Sequence, residues 1–379
     1  MFMLMASAIL VLASRRMGIL LSLFSVALIK APLTFDWLPG ITFGWDVLAN
    51  FQQLFGVFAL LVVIAILYSR KMEAKYLSSM MVFCAGLLGF LGASHPLQFF
   101  MFLELMIFPA FYLLLERDPT TAFKYFAFMQ VSSILVLAGM ISSGAIASLL
   151  LTLGFSIKMG LFPLGSWLPD AHSQAPHPLS ALFSGALVAC GVYGLYRFSY
   201  NFLLLLVLAI ISIVYGAVRA SKEEDLKRLL AYSTVSQMGY AALALLFAPE
   251  ILPLFLLMHS LAKAGLFFAA GSIIEQTGIS NISQLSVSSS SLTLPIIISA
   301  LSMAGIPPLL GFWIELTIFK GIAAYSLLLL MGVLIAAAFT IFYVERLVSI
   351  FMRRSPKRVE DWLSVIPAIL LVLGVLLVE

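Results

Sequence analysis

Long apolar runs separated by short polar joints occupy almost the whole chain. They cover approximately 2–13, 17–31, 51–68, 76–93, 97–115, 123–142, 144–163, 178–199, 201–219, 228–248, 251–274, 292–310, 312–344 and 363–378. A helix needs about 20 apolar residues to cross a bilayer, so the pattern predicts an all-α polytopic membrane protein with about 14 transmembrane helices. The run 312–344 fits either one long helix or a helix broken around Gly321.

Composition supports the membrane class and excludes several others. Of the 379 residues, 63% are hydrophobic and 10% are charged, whereas soluble domains have roughly a quarter of their residues charged. An ordinary soluble enzyme, a disordered chain and a nucleic-acid binder are therefore excluded. Cys84 and Cys190 lie inside apolar runs without metal-site spacing, and no nucleotide, flavin, haem or iron–sulfur motif is present. We expect no catalytic residue, metal or cofactor in this chain, and any redox chemistry would occur in a partner chain.

The basic residues divide unequally between alternate loops. With fourteen spans, sixteen of the 21 bases fall on one side, three fall on the other and two remain inside apolar runs. The sixteen are Arg15, Arg16, Arg70, Lys71, Lys75, Arg117, Lys124, Arg219, Lys222, Lys227, Arg228, Arg346, Arg353, Arg354, Lys357 and Arg358, and the three are Lys30, Arg197 and Lys320. Because basic loops stay in the cytoplasm, both termini are predicted to face outward.

Four charged residues lie inside the apolar runs. They are Glu104, Lys158, Lys263 and Glu315. Insertion scales assign about 2.5–3.5 kcal/mol to a charge at the bilayer centre, so such residues mark ion or proton pathways by default. A buried structural ion pair, such as Glu104 with Lys158, is the alternative.

Two of these charges adjoin similar Gly/Pro-containing segments. Residues 157–169 are IKMGLFPLGSWLP and residues 303–314 are MAGIPPLLGFWI. Proline removes a backbone donor and interrupts a helix, and interrupted segments at matching positions of two halves are typical of transport sites between inverted repeats. Lys158 precedes the first segment's glycine, and Glu315 follows the second segment. The predicted helix breaks lie at Gly160, Pro163, Gly305, Pro307 and Pro308.

The histidines are further candidates. His259 and Lys263 are four residues apart and share one helix face, which suits a proton relay, although a buried histidine that only packs remains an alternative. Asp170, His172 and His177 follow the first break and are candidates for proton uptake or for a loop role. Their spacing does not favour a metal site.

Four ordered motifs carry a family resemblance over about 95–320. They are KMGLFPLGSWLPDAHSQAPHPLSALFSGAL from Lys158, DLKRLLAYSTVSQMGY from Asp225, HSLAKAGLFFAAG from His259 and LSMAGIPPLLGFW from Leu301. The chain resembles the antiporter-like, proton-translocating membrane subunits shared by respiratory complex I, Mrp-type sodium/proton antiporters and membrane-bound hydrogenase-type complexes. The resemblance implies one transmembrane domain, 1–379, with inverted five-helix repeats at about 76–199 and 201–344. Flanking helices would occupy 1–75 and 345–379, and each repeat would contain a broken helix.

The resemblance also implies a role for each charged residue. Glu104 matches the glutamate that tunes a neighbouring lysine, and Lys158 matches that proton-carrying lysine. His259 and Lys263 match a central relay, and Glu315 matches the outward exit. Many relatives carry another lysine where this chain has Ala189, so Lys263 would be the central station here.

Three functions remain open on the sequence. The first is a proton-translocating subunit, with proton/sodium exchange as a variant, of a multisubunit respiratory or hydrogenase-type complex. Its partners would be other membrane subunits of a complex I-like, Mrp-like or hydrogenase-like assembly. The second is an autonomous cation/proton antiporter, and the third is a non-conducting scaffold subunit, which Ala189 favours.

Overall fold

The computed structural model describes residues 2–27, 33–38, 41–70, 72–287, 291–352 and 359–373. Both chain ends lie outside these ranges, as do parts of the predicted runs 17–31 and 363–378. The predicted inner-side bases Lys71, Arg353, Arg354, Lys357 and Arg358 and the predicted outer-side Lys30 also lie outside the described residues.

Helices dominate the described residues. In chain order they are α1 Phe2–Ala13, α2 Arg15–Ala27, α3 Gln52–Ser69, α4 Ala74–Gly92, α5 Pro96–Leu105, α6 Ile107–Leu115, α7 Pro119–Ile141, α8 Gly144–Met159, α9 Trp167–Gln174, α10 His177–Leu182, α11 Val188–Arg197, α12 Phe202–Lys222, α13 Leu226–Phe247, α14 Leu252–Thr277, α15 Thr293–Met303, α16 Leu310–Tyr325, α17 Leu327–Ala338, α18 Thr340–Met352 and α19 Val365–Leu373.

The chain is an integral membrane protein. Within the described ranges, nine helical stretches are long and apolar enough to cross a bilayer, and the shorter α8 and α15 are apolar as well. The polytopic α-helical class is confirmed apart from one short β-hairpin, and the count of fourteen stays a prediction.

A small β-hairpin interrupts the helices near the start of the chain. Strand β1, Leu33–Leu38, pairs antiparallel with β2, Ile41–Trp45. The Gly44 carbonyl accepts a hydrogen bond from the Ser94 amide at 3.3 Å, which attaches the hairpin to the loop after α4. The hairpin was not predicted, because the prediction rested on long apolar runs and the hairpin residues contain none.

Polar side chains begin several of the helices. Asp118 Oδ2 accepts a hydrogen bond from the Thr121 amide at 3.0 Å, and Pro119 occupies the first position of α7. Asn201 caps α12 in the same way. A capping oxygen satisfies a backbone donor that the helix itself leaves without a partner, so short polar joints suffice between long apolar helices.

Both predicted helix breaks are present. After α8, Gly160 has φ +77° and its amide bonds to the Ile157 carbonyl at 3.1 Å, while the Leu161 amide bonds to Ser156 at 3.0 Å. Only glycine adopts this left-handed conformation without steric cost. Trp167 Nε1 then donates to the Ile157 carbonyl at 2.9 Å, which fastens α9 back onto α8.

The second break repeats the geometry of the first. Gly305 has φ +63°, and its amide bonds to the Ser302 carbonyl at 3.2 Å. The Ile306 amide bonds to Leu301 at 3.1 Å, as Leu161 does to Ser156. The sequence similarity of the two segments therefore corresponds to the same backbone turn.

Neighbouring helices satisfy the backbone that the breaks release. Ser212 Oγ of α12 accepts a hydrogen bond from the Phe162 amide at 2.9 Å. Gln237 Nε2 of α13 donates to the Met303 carbonyl at 3.0 Å. Irregular backbone survives at membrane depth only where protein or a polar cavity covers it, so α12 and α13 stabilise the two breaks.

The run 312–344 is interrupted at Ser326, which corrects the expected position around Gly321. Ser326 is extended, and its Oγ accepts a hydrogen bond from the Leu329 amide at 3.3 Å, which begins α17. Gly321 is instead an ordinary helical residue packed on the Phe247 carbonyl, where a larger side chain would overlap.

Most basic loops meet on one side of the bundle. The contacts are Arg15 with the Met72 carbonyl, Lys75 with Glu116 at 3.5 Å, Lys227 with the Ala175 carbonyl at 2.7 Å, and Arg346 with the Ser221 carbonyl at 2.7 Å. A hydrogen bond from Tyr76 holds the pKa of the Glu116 carboxyl below its usual value. At the opposite ends of the helices, Arg197 donates to the Ser94 carbonyl beside the hairpin at 3.2 Å.

We predict that Gly311→Ala destabilises the protein, because a Cβ at this position would overlap with the Ser302 carbonyl oxygen beside the second break. Overpacking of this kind costs about 1–3 kcal/mol. Thermal unfolding of the purified protein in detergent measures the effect. Gly332→Ala is the control, since nothing lies within 4 Å of that position. Equal unfolding midpoints for the two variants would contradict the prediction.

Candidate functional site

Lys158 lies at the end of α8, two residues before the first break. Its side chain is 0% exposed, and its ammonium contacts Met129 Sδ at 3.8 Å. Glu104 of α5 is partly exposed and accepts a hydrogen bond from Gln130 Nε2 at 3.4 Å. The ion pairs among the described residues do not include Glu104 with Lys158. The structural ion pair that the sequence left open is therefore not formed in this structure.

His259 and Lys263 occupy adjacent turns of α14 in the core of the bundle. Both side chains are 0% exposed. The Lys263 ammonium donates to Ser233 Oγ at 2.5 Å and to the Leu230 carbonyl at 3.2 Å, both on α13. Neither ring nitrogen of His259 has a hydrogen-bond partner among the described residues. Lys263 is thus held by neutral oxygens, and the adjacent imidazole is available to exchange a proton.

A wide helical turn lies opposite this pair. Residues Phe183–Leu187, between α10 and α11, form a π-helical turn, a feature that is frequent at functional sites. The Ser184 hydroxyl in this turn lies 2.7 Å from the Thr234 hydroxyl on α13. Ala189 follows in α11 and is buried, so a methyl group occupies the position at which the family resemblance led us to expect a lysine.

Glu315 sits at the second break. Its carboxylate lies against Gly305, where a Cβ would overlap with Oε2. Glu315 is partly exposed, as Glu104 is, whereas Lys158 and Lys263 are fully buried. The two lysines are therefore fully buried, whereas each glutamate keeps a partly exposed side chain even though Oε1 of Glu104 is buried.

The structure separates the three residues predicted for proton uptake. Asp170 of α9 pairs with Lys124 at 2.6 Å and with Arg228 at 2.7 Å. These three residues line a cavity of about 170 Å³ that reaches Gly160 at the first break. Asp170 thus belongs to an ion-pair cluster that joins α7, α9 and α13.

His177 faces a different cavity, of about 570 Å³, which is large enough for many water molecules. Glu275 lies 3.7 Å from the His177 ring in the same wall. Lys227 also lines this cavity, and its ammonium donates to the Ser173 carbonyl at 3.2 Å and to Ala175 at 2.7 Å. The cavity lies among the loops that carry the bases, because Lys227 is in the first turn of α13.

His172 directly precedes Ser173 and Gln174 of the cavity wall in the chain, and its ring contacts α14, the helix that carries Lys263. Its side chain is 0% exposed, and both ring nitrogens lack a hydrogen-bond partner in the described part of the chain. The ring stacks on Phe267 at 4.5 Å, one turn from Lys263 on α14. Lys227 and Lys263 both exert their charge on this imidazole.

Some contacts of the site were missed in the sequence. Lys227 was counted as a loop base but is only 6% exposed. Gln130, Ser233 and Gln237 were not singled out, although each is a polar residue inside an apolar run. Ser233 and Gln237, in the string STVSQM, are four residues apart and share a helix face. This spacing is a signal that could have identified them.

The described residues contain no group of three or more His, Cys, Asp or Glu side chains that could hold a metal ion. Cys84 and Cys190 are buried and unpaired.

Several curated proteins are similar in sequence to this chain. NAD(P)H-quinone oxidoreductase chain 4 2 of Thermosynechococcus vestitus is 30% identical over 357 residues, which cover 80% of this chain and 67% of that protein. NADH-quinone oxidoreductase subunit N of Desulforudis audaxviator is 31% identical over 275 residues, covering 60% and 55%. The chain thus spans little more than half to two thirds of these relatives' lengths.

Solved structures share the fold. A chain of the archaeal membrane-bound sulfane sulfur reductase superposes with a TM-score of 0.84 at 21% identity, covering 99% of this chain and 93% of that one. A chain of the Mrp complex from a Dietzia species gives 0.82 at 23% identity, covering 93% and 79%. A chain of Thermus thermophilus respiratory complex I gives 0.82 at 26% identity, covering 94% and 89%.

The family assignment agrees with these similarities. Residues 141–340, more than half of the chain, match the family described as NADH:quinone oxidoreductase/Mrp antiporter, TM. This segment contains Lys158, His259, Lys263, Glu315 and both helix breaks. The chain therefore belongs to the NADH:quinone oxidoreductase/Mrp antiporter transmembrane family.

Proposed function

We propose that this chain is a proton-translocating subunit, with proton/sodium exchange as a variant, of a multisubunit membrane complex. The observation that carries the proposal is the burial of Lys158, His259 and Lys263 without a carboxylate partner. A charged group inside the bilayer is costly and is retained where it serves an ion or proton path. A scaffold that no longer conducts would lose nothing by replacing these residues with apolar ones.

Protons are taken up through the 570 Å³ cavity. His177 and Glu275 in its wall exchange protons with water, and the His172 ring, which contacts α14, is the next group on the way to Lys263. The Lys227 ammonium fixes the backbone just after His172 by donating hydrogen bonds to the Ser173 and Ala175 carbonyls. This assigns uptake to the central Lys263, whereas Asp170 closes the smaller cavity beside Lys158 with its two ion pairs.

Glu104 controls Lys158 through charge. Gln130 holds the carboxylate in a state unpaired with the lysine. When Glu104 approaches Lys158, the ammonium is stabilised and keeps its proton, and when Glu104 withdraws, the proton is released. A charge that arrives beside Glu104 from a neighbouring subunit therefore couples that subunit to this one.

The positions of the two carboxylates support assembly with partners. Glu104 and Glu315 are partly exposed within membrane-spanning segments, where lipid would be an unfavourable neighbour. A partner subunit that covers each carboxylate with polar groups removes this cost. The partners are other membrane subunits of a complex I-like, Mrp-like or hydrogenase-like assembly, in which a partner chain supplies the driving reaction.

The location follows from the charge distribution. The side that gathers Lys75, Lys227 and Arg346 faces the cytoplasm of a prokaryotic cell, because basic loops stay inside. The β-hairpin and Arg197 then face outward, as do both termini. Protons leave at Glu315, beside the second break.

Expression of the chain alone in antiporter-deficient cells separates this proposal from an autonomous antiporter. We expect no rescue of sodium tolerance, because Glu104 and Glu315 lack the partners that would cover them. Restored growth in high sodium would instead favour the autonomous antiporter.

Lys158→Ala should abolish proton translocation while the complex remains assembled, because the substitution removes the ammonium through which Glu104 couples the neighbouring subunit to this chain, and no ion pair is broken. The measurement is acidification of inverted membrane vesicles, driven by the complex's own reaction and followed with a pH-sensitive dye. Lys222→Ala, at an exposed position, is the control. Wild-type acidification by the Lys158 variant would overturn the assigned role.

His172→Phe should slow proton uptake by about a hundredfold, at the low end of what a positioned proton-transfer group contributes. The new ring retains the stack on Phe267 but cannot take up a proton. The initial rate of dye quenching in the same vesicles is the measurement, and His95→Gln on the outward side is the control. If both variants pump at the wild-type rate, uptake does not pass through His172.

A further inference from the structure

The proposed function leaves a gap between Lys263 and Glu315. Lys263 lies on α14 and its ammonium is held by α13, whereas Glu315 lies on α16 at the second break. A proton that leaves Lys263 must therefore cross between helices before it reaches the carboxylate. Helix α13 packs against both α14 and α16, so its side chains are the first to examine.

One face of α13 is polar from Lys263 towards the second break. Ser233, Gln237 and Tyr240 are spaced at i, i+4 and i+7, which brings them onto one face. All three side chains are at most 1% exposed in a helix that is otherwise largely apolar. Ser233 bonds to the Lys263 ammonium, and Gln237 bonds to the Met303 carbonyl at the end of α15. The polar face thus begins beside Lys263 and leads to the second break, where Glu315 lies.

Two buried hydroxyls lie at the far end of this face. The hydroxyls of Tyr240 and of Tyr343, on α18, are buried, the first without a hydrogen-bond partner among the described residues and the second beside the Gln237 side chain. Buried polar groups without partners are costly and uncommon. Both hydroxyls are close enough to Glu315 for its carboxylate charge to act on them.

We propose that the hydroxyls of Tyr240 and Tyr343 are the last proton-relay groups between Lys263 and Glu315. This inference rests on the proposed function. A phenol oxygen can accept one proton while it donates another, so the O–H bond given up towards Glu315 is replaced by one formed from the Lys263 side. Each tyrosine ends the transfer neutral and unchanged, and Glu315 gains the proton that Lys263 lost.

The competing explanation is that both tyrosines only fill space. A packing role requires the ring, whereas a relay requires the hydroxyl. Tyr→Phe substitution removes the hydroxyl and keeps the ring, and it breaks no hydrogen bond at Tyr240 and only the contact with Gln237 at Tyr343. Stability therefore should not change much, and a loss of translocation would report on the relay.

The experiment compares Tyr240→Phe, Tyr343→Phe and the double variant in the assembled complex. Dye quenching in inverted membrane vesicles measures translocation, and native gels measure assembly. We expect the double variant to lose about 90% of translocation and each single variant to lose less, because one hydroxyl remains. The Tyr193 hydroxyl, away from this path, donates to the Leu91 carbonyl at 3.0 Å. Tyr193→Phe therefore costs a real hydrogen bond and should still pump normally.

Glu315→Gln makes the two possible failures distinguishable. If Glu315→Gln abolishes translocation but the Tyr240→Phe/Tyr343→Phe double variant pumps at the wild-type rate, the relay is wrong and the proposed function stands. If Glu315→Gln also pumps normally, the exit at Glu315 is wrong and the relay fails with it. Equal losses in Tyr193→Phe and the double variant would show a structural effect and would overturn the relay.

Discussion

Two ammonium groups and two imidazoles are buried inside an apolar bundle, and the rest of the structure depends on how these four groups are accommodated. Lys158, Lys263, His172 and His259 are all 0% exposed, and transfer of an unpaired charge into an apolar medium is strongly unfavourable. Polar atoms that carry no formal charge lie next to the two lysines. The Lys263 ammonium donates hydrogen bonds to a hydroxyl and to a backbone carbonyl, whereas the Lys158 ammonium contacts a thioether sulfur.

One helix break lies beside Lys158 and the other beside Glu315. Each break is a turn with a left-handed glycine and the same two hydrogen bonds, and side chains from α12 and α13 satisfy the exposed backbone. In the first half the lysine stands before the turn, and in the second half the glutamate stands after it. The similar backbones therefore carry different chemistry, a fully buried ammonium at the first break and a partly exposed carboxyl group at the second. This difference gives the proposed path a direction.

Much of the fold and half of the site could be predicted from the sequence. Apolar run length indicated the helices, and Gly160 and Gly305 with their prolines indicated the breaks. Glu104, Lys158, Lys263 and Glu315 stood out because so few charges occur in the runs. The rest depends on packing between helices. Run length could not show that Lys227 folds back to bind two carbonyls, or that Asp170 and His177 face different cavities. The break at Ser326 was missed because serine is common inside membrane helices, and its capping role depends on an extended backbone.

The number of protons moved per turnover of the complex in a Lys263→Met variant tests the central claim most directly. Methionine keeps much of the side-chain volume but cannot carry a proton, and Lys158, Glu104 and Glu315 remain in place. If the buried groups form one path, this ratio falls well below that of the wild type while the complex stays assembled. An unchanged ratio in the intact complex would contradict the account, since protons would then cross this chain without its central station.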